Sequence, residues 1–404
     1  MSRRGKRVLL AMILTGVVIR VVIAFATVGS EYDMASFRLV ARELDAPSDI
    51  YSTVNGQIEF EGETGTLFRW PYAPAFFPWI YASEWLADHS ALAFHGLVQL
   101  PAIAADVAIA LLILWAFGQR RVPERTRLAA AGLVLLGPSF IAISGYHGQI
   151  DSLAILPAVA GVLAWERAKT PHRATVAGSL LGAGAALKTV PAFMILALLP
   201  TARTVPEGVR LTAVTAAVPL AMLLPFAITD FAGVRDLTEY GGAPGAGGLS
   251  LALQPGLATD RWLLQEPFHL SGASELLGDY GSIFLGIVLL LLGVAMIRWR
   301  TPPVTAAICV WLVVWIFGPG FFLQYLVWGL PFIILAGRLV EAAALQAAVL
   351  VPTILFYLAP WENDDVAYLY VPIMIGVWLA MIAALALIAR RAYGRRPSAF
   401  AVRA

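Results

Sequence analysis

Cysteine and charge are what this chain has little of. One of its 404 residues is a cysteine, Cys309, and 13% are charged. A single thiol excludes an intrachain disulfide, and no metal-type Cys/His cluster is written into the sequence. Soluble domains carry about 25% charged residues. The low share here, with 59% hydrophobic residues and a mean hydropathy of +0.77, describes a polytopic membrane protein. Phosphate-cradling loops are missing too: there is no GxxxxGK[ST] and no GxGxxG after a strand. A transferred group therefore has to arrive by a route other than a soluble nucleotide, and a lipid carrier suits such a chain. The net charge of +2 and pI of 8.7 say little, because charge is segregated by side rather than in excess, and no nucleic-acid partner is expected.

What the chain does have is apolar runs. Segments of membrane length fall near 8–28, 95–118, 127–144, 151–166, 208–229, 281–298, 303–319, 323–337, 342–358 and 368–390. The expected fold is a single all-α membrane domain over 1–404, a bundle of about 10–12 transmembrane helices. Residues 71–87, rich in proline and aromatics, read as an interfacial helix. Residues 174–200 read as two short helices broken at Lys188-Thr189-Val190-Pro191. The first run is 21 residues long, against about 7–15 for the apolar part of a signal peptide, and reads as a retained span.

Sidedness follows from charge. With the N-terminus and C-terminus in the cytoplasm, 21 of 28 Lys and Arg fall inside and six fall outside: Arg38, Arg42, Arg69, Lys188, Arg235 and Arg261. Arg20 lies within the first span. Of the 26 acids, 21 fall outside, so the polar surface capable of chemistry is extracytoplasmic, at the plasma membrane. Two outer loops are long, 29–94 and 230–280; the second contains GGAPGAGG.

The outer face gathers the candidate residues. Glu31 and Asp33 follow the first span. Gly145 to Asp151 carries His147, Gln149 and Asp151. Lys188 sits at the helix break, Gln324 and Tyr325 open a span, and Trp361 to Asp365 forms the last outer loop. Ionisable groups at membrane depth are costly and tend to mark function. Each also has a structural reading: interfacial acids, an N-cap at Asp151, a snorkelling Lys188, a membrane-belt Tyr325. Asp106 lies in the second span and is open to pairing with another helix.

These residues stand in an order that resembles the GT-C glycosyltransferases, closest to glycosyltransferase family 87 and the first mannosyltransferase of GPI-anchor synthesis. DMASF from Asp33, ARELDAPSDIY ending at Tyr51, and FRWPYAPAFFP are similar to the family's first outer loop. HGQIDSLAILP and AGSLLGAGAALKTVP are similar to its middle motifs, and GPGFFLQYLVWGLPF resembles its late PQYLLWLLP, with the Pro-Gln pair interrupted. The resemblance runs over roughly 30–335. It implies a GT-C-type bundle and inverting transfer of a hexose, mannose being the commonest, from a polyprenyl-phosphate sugar to a lipid or glycan acceptor. It implies Asp33 as base with Glu31 as second acid; Lys188, His147 and Arg261 on the donor phosphate; and Gln149, Asp151, Trp70, Tyr72, Gln324 and Tyr325 on sugar or acceptor. No metal ligand is assigned, and dependence on a divalent metal is left open. The competing expectation is a lipid-linked sugar flippase without transferase activity, or a non-catalytic partner of another transferase.

Overall fold

Serine starts the first helix: the Ser2 hydroxyl accepts from Gly5 N at 3.0 Å, and an apolar run carries α1 from Arg3 to Ala26. The structure is a computed structural model, and it describes residues 1–45, 47–60, 63–66, 68–168, 172–240, 245, 247–254, 272–358 and 365–394. After α1 come α2 (Glu31–Glu43), α3 (Ile50–Val54), a hairpin of β1 (Gln57–Phe60) and β2 (Glu63–Thr66), α4 (Phe77–Asp88) and α5 (Phe94–Gln119). The middle of the chain gives α6 (Glu124–Leu135), α7 (Pro138–Ile141), α8 (Asp151–Arg167), α9 (Arg173–Leu187), α10 (Met194–Leu198), α11 (Val205–Thr229), α12 (Phe231–Asp236) and α13 (Gly248–Leu253). The last third gives α14 (Ala273–Trp299), α15 (Pro303–Phe317), α16 (Leu326–Leu335), α17 (Leu339–Ala348), α18 (Leu350–Leu358) and α19 (Asp365–Gly394).

The fold is an all-α polytopic bundle, with the short antiparallel hairpin, Gln57 paired to Thr66, as a local addition. Among the described residues seven helical stretches are long and apolar enough to cross a membrane: Arg3–Ala26, Phe94–Gln119, Glu124–His147, Val205–Thr229, Ala273–Trp299, Leu339–Leu358 and Tyr368–Arg391. Three shorter apolar helices, Val190–Thr201, Pro303–Phe317 and Leu323–Leu335, complete the pattern. The last two are buried nearly throughout. A helix enclosed by others is apolar all round and has no lipid-facing side. The break expected near Lys188 is present: α9 ends at Leu187, and Pro191 opens a 3₁₀ turn over Val190–Phe193.

Two apolar cores result. The larger fills the bundle around Trp311, Trp315, Phe332 and their neighbours. The smaller belongs to the first long loop, where Met34, Phe37, Tyr51, Trp70, Phe76 and Phe77 pack onto Phe94 and Val98 of α5. This loop is therefore a packed cap on one end of the bundle. Asp230 ties it down, accepting from Ser52 N at 2.7 Å and Ser52 Oγ at 2.5 Å. The other end is stitched by charge: Glu124 accepts from Ser2 N at 2.7 Å, and Arg173 pairs with Glu207 at 2.6 Å.

Within the bundle, Asp106 pairs with Arg20. Arg20 Nε meets Asp106 Oδ2 at 2.9 Å, both side chains buried, and the guanidinium also donates to the carbonyls of Gly16, Val134 and Leu135. Of the second long loop, α12, α13 and the start of α14 are described; Arg261 lies outside the described residues, as does 359–364 of the last expected loop.

Candidate active site

Residues 30–33 read Ser-Glu-Tyr-Asp, the spacing of a capping box, in which the third helical residue reaches back to the cap's own N–H. Half of that box forms. Asp33 N donates to Ser30 Oγ at 3.4 Å, but Ser30 N donates instead to the His147 carbonyl at 3.2 Å. The Asp33 carboxylate is thereby released from capping and turns into the bundle. Gly29 makes the approach feasible: at φ +75° it runs so close to Tyr146 that a Cβ would lie 2.0 Å from its carbonyl oxygen.

The opposing segment is unusual. Ala142–His147 forms a π-helical turn, and Gly148 follows at φ +89°. Such turns recur at functional sites because they re-aim side chains that an α-helix would bury. Here the turn and the left-handed glycine send His147 and Gln149 toward α2. His147 Nε2 lies 2.7 Å from Asp33 Oδ2, and Gln149 Nε2 donates to Asp33 Oδ1 at 2.5 Å. Gln149 Oε1 in turn accepts from Lys188 Nζ at 3.3 Å. Lys188 is buried, 2.8 Å from Asp151 Oδ1, with its ammonium 5.4 Å from the Tyr72 ring and 5.6 Å from the Trp328 ring. Trp328 Nε1 donates to the same Asp151 oxygen at 2.5 Å and stacks on Tyr325 at 3.8 Å. Asp151 opens α8 without capping it; its carboxylate belongs to this network.

Burial raises the Asp33 pKa, but the His147 hydrogen bond, the attraction of the His147 ring when it carries its second proton in acid, the Ser30 hydroxyl and the Lys188 charge outweigh it and hold the group below the ordinary aspartate value. Asp33 is thus favoured as the carboxylate, with His147 on one oxygen, Gln149 on the other and the Ser30 hydroxyl beside it. Burial dominates on the phenols nearby: Tyr72 is raised well above its ordinary value, and Tyr240 to about 12 against the lowering effect of its hydrogen bond with Tyr72. These hydroxyls stay protonated and able to donate.

The structure thus brings together Asp33, His147, Gln149, Asp151, Lys188, Tyr72 and Tyr325. It does not bring Glu31 in. Glu31 is exposed at the first position of α2, and residues two apart on a helix do not share a face. Trp70 is in the cap's core, held by Asn55 through bonds of 2.8 and 3.0 Å and stacked on Phe76. Gln324 is buried beside Tyr325 with its Oε1 unpartnered among the described residues. Three residues were not singled out from sequence: Trp328, Tyr357, whose hydroxyl bonds His147 Nδ1, and Arg69, half-buried over the Tyr32 ring at 5.2 Å. Trp328 carried a signal, one helical turn beyond Gln324. Tyr357 carried none, being one aromatic among many in a span. Among the described residues no three His, Cys, Asp or Glu side chains converge as metal ligands do.

Comparison with known proteins decides the family. The profile described as glycosyltransferase family 87 matches residues 70–323, more than half of the chain. The chain belongs to glycosyltransferase family 87. This family 87 protein is a multi-pass membrane protein. No curated protein matches it. Among solved structures it is similar to the Archaeoglobus fulgidus oligosaccharyltransferase tethered to an acceptor peptide containing the NVT sequon, at 14% identity and a TM-score of 0.39. That likeness covers 95% of this chain, which spans about half of the other, 55%. The family match takes in His147, Gln149, Asp151 and Lys188 but begins after Asp33, which joins them through its two hydrogen bonds.

Proposed function

We propose that this family 87 transferase moves a sugar, a hexose such as mannose, from a polyprenyl-phosphate donor to a hydroxyl of a lipid or glycan acceptor, with inversion and with Asp33 as general base. The observation that carries the reading is the placement of Asp33: His147 and Gln149 steer its two oxygens, and 15% of its side chain is left exposed. A carboxylate offers about four acceptor sites, so the donors His147, Gln149 and Ser30 leave room for an incoming hydroxyl.

In the step proposed, the acceptor oxygen bonds to the anomeric carbon from the face opposite the phosphate. Its proton passes to Asp33, the bond from that carbon to the phosphate oxygen breaks, and polyprenyl phosphate leaves. The leaving group gains negative charge, which nearby cations stabilise. Lys188 supplies its field from beside Gln149, although its nearest partner is Asp151. Arg69 has no carboxylate partner among the described residues and joins Lys188 and Arg261 as a phosphate contact. Gln324, Tyr325 and Tyr72 face the sugar and acceptor; Asp151 acts by holding Lys188.

Charge placement supports an extracytoplasmic site at the plasma membrane with both termini cytoplasmic. The site-side cap is acidic, whereas Arg3, Arg4 and Arg7 at the start of α1, with Arg120 and Arg173, lie at the other end.

Asp33→Asn tests the reading. It keeps the shape and removes the base, so release of polyprenyl phosphate from polyprenyl-phosphate mannose should fall by at least about 100-fold, the lower range for base catalysis. Wild-type release by the folded variant across a panel of polyprenyl-phosphate sugars would overturn the assignment.

A further inference from the structure

Tyr357, at the end of α18, is buried with its hydroxyl against Nδ1 of His147 in a short hydrogen bond. The two rings meet edge to face, with centroids 5.0 Å apart at 77°. Tyr146, the residue before His147, straps Tyr357 in place: its hydroxyl donates to the Tyr357 carbonyl at 3.0 Å, and the rings lie 5.7 Å apart. Tyr357 is thus fixed to the same π-helical turn whose histidine it touches.

The hydrogen-bond inventory sets the tautomer. An ionised carboxylate only accepts, so at 2.7 Å from Asp33 Oδ2 the His147 Nε2 carries a hydrogen. In a neutral imidazole the other nitrogen is then an acceptor, and a phenol is the partner that donates to it. Both ring nitrogens are satisfied by one ring proton. A second ring proton would make Nδ1 a donor and displace the Tyr357 hydroxyl hydrogen from its acceptor. Among the described residues the other titratable groups near Tyr357 are Tyr146, whose hydroxyl is engaged with a carbonyl, and Tyr370; Lys188 and Asp151 stand one residue further from His147, across Gln149.

We propose that Tyr357 is a positioning residue: by donating to Nδ1 it locks His147 as the neutral Nε2–H tautomer aimed at Asp33. The carboxylate then receives a neutral donor in place of a full positive charge, and keeps its affinity for the acceptor's proton. This rests on the reading of Asp33 as base.

The test reads the ring directly. Full-length protein with ¹⁵N-labelled histidine is placed in lipid bilayers, and the His147 signals are assigned by their loss in His147→Gln. In the wild type at neutral pH, Nε2 should be protonated and Nδ1 bare. In Tyr357→Phe a protonated Nδ1 should appear. A wild-type Nδ1–H, or a Tyr357→Phe spectrum unchanged from wild type, overturns the proposal. If Tyr357→Phe does not fold, Tyr146→Phe decides: it removes only the strap, and it should give a smaller change of the same kind, whereas no change overturns the proposal. With polyprenyl-phosphate mannose as probe, Tyr357→Phe should lower kcat about tenfold, the size of one hydrogen bond, with KM unchanged. It should cost nothing more in a His147→Gln background; fully additive losses overturn the coupling. Activity retained by Asp33→Asn would instead defeat the base assignment and leave the ring-nitrogen result standing.

Discussion

The side-chain amide of Gln149 donates to Asp33 at 2.5 Å and faces Lys188 with its other end, so one neutral group separates the base from the buried cation. A carboxylate in direct contact with Lys188 would be a salt bridge and a poor base. The amide lets the positive charge be felt while leaving the acid its own proton chemistry.

Replacing that amide should therefore act on rate more than on binding. Gln149→Ala leaves Asp33 short of a donor and should lower kcat by about 10–100-fold, the cost of one charge-assisted hydrogen bond. Gln149→Glu is nearly isosteric but puts a second carboxylate beside the first, and should lose more. Steady-state kinetics on the folded variants checks both; a change confined to KM would show that Gln149 binds substrate instead.

The lowered Asp33 pKa fixes the direction of the pH dependence. The base form persists through mild acid, so turnover should fail only below the usual aspartate range, about 3.9. The stability contributed by the ionised group is present above that unfolded value and is lost as the pH falls through the lower folded value. His147→Gln keeps a hydrogen-bond donor but removes the ring, leaving burial less opposed. Its acid limb should move to higher pH, read from initial rates over pH. An unmoved limb would show that His147 does not act on Asp33.

Much of this site was legible in the chain. Asp33, His147, Gln149, Asp151 and Lys188 all stood in motifs, and the positive-inside count put them on one face. Their partnerships were not legible. Glu31 and Asp33 look like a carboxylate pair in the sequence. They separate because Ser30 starts a helix there, and a helix turns residues two apart to different faces. Trp70 looks like a sugar platform until Asn55, fifteen residues earlier, is seen to pin its backbone inside the cap. In the fold, the enclosed helices α15 and α16 read like any other span. Apolar runs facing protein and facing lipid have the same composition.

The Arg20–Asp106 pair is a structural counterpart to the site. Arg20 joins α1 to α5 and to the end of α6, and Ser144 of the π-helical turn donates to Asp106 at 2.6 Å. Arg20→Met removes the charge partner of a buried carboxylate and the side-chain donor to three carbonyls. It should cost about 3–5 kcal/mol, the range for breaking one side of a buried pair. Thermal melting in detergent should show this as a large fall, with the kcat of the folded fraction unchanged. Wild-type melting would mean that the pair contributes nothing net.

Lys188 and Asp151 should behave differently. They too are buried, at 2.8 Å, and the second Asp151 oxygen has no partner among the described residues. Lys188→Met should destabilise by a similar amount, about 3–5 kcal/mol, because it leaves Asp151 charged beside one indole N–H. Adding Asp151→Leu removes the stranded charge, and an apolar pair of like volume is often as stable as the ion pair it replaces. The double variant should regain most of the melting temperature and none of the transfer, because the field on Asp33 and on the leaving phosphate is gone. Melting and release of polyprenyl phosphate, measured on the same preparations, separate the two effects. Recovery of both together would make the pair scaffold alone.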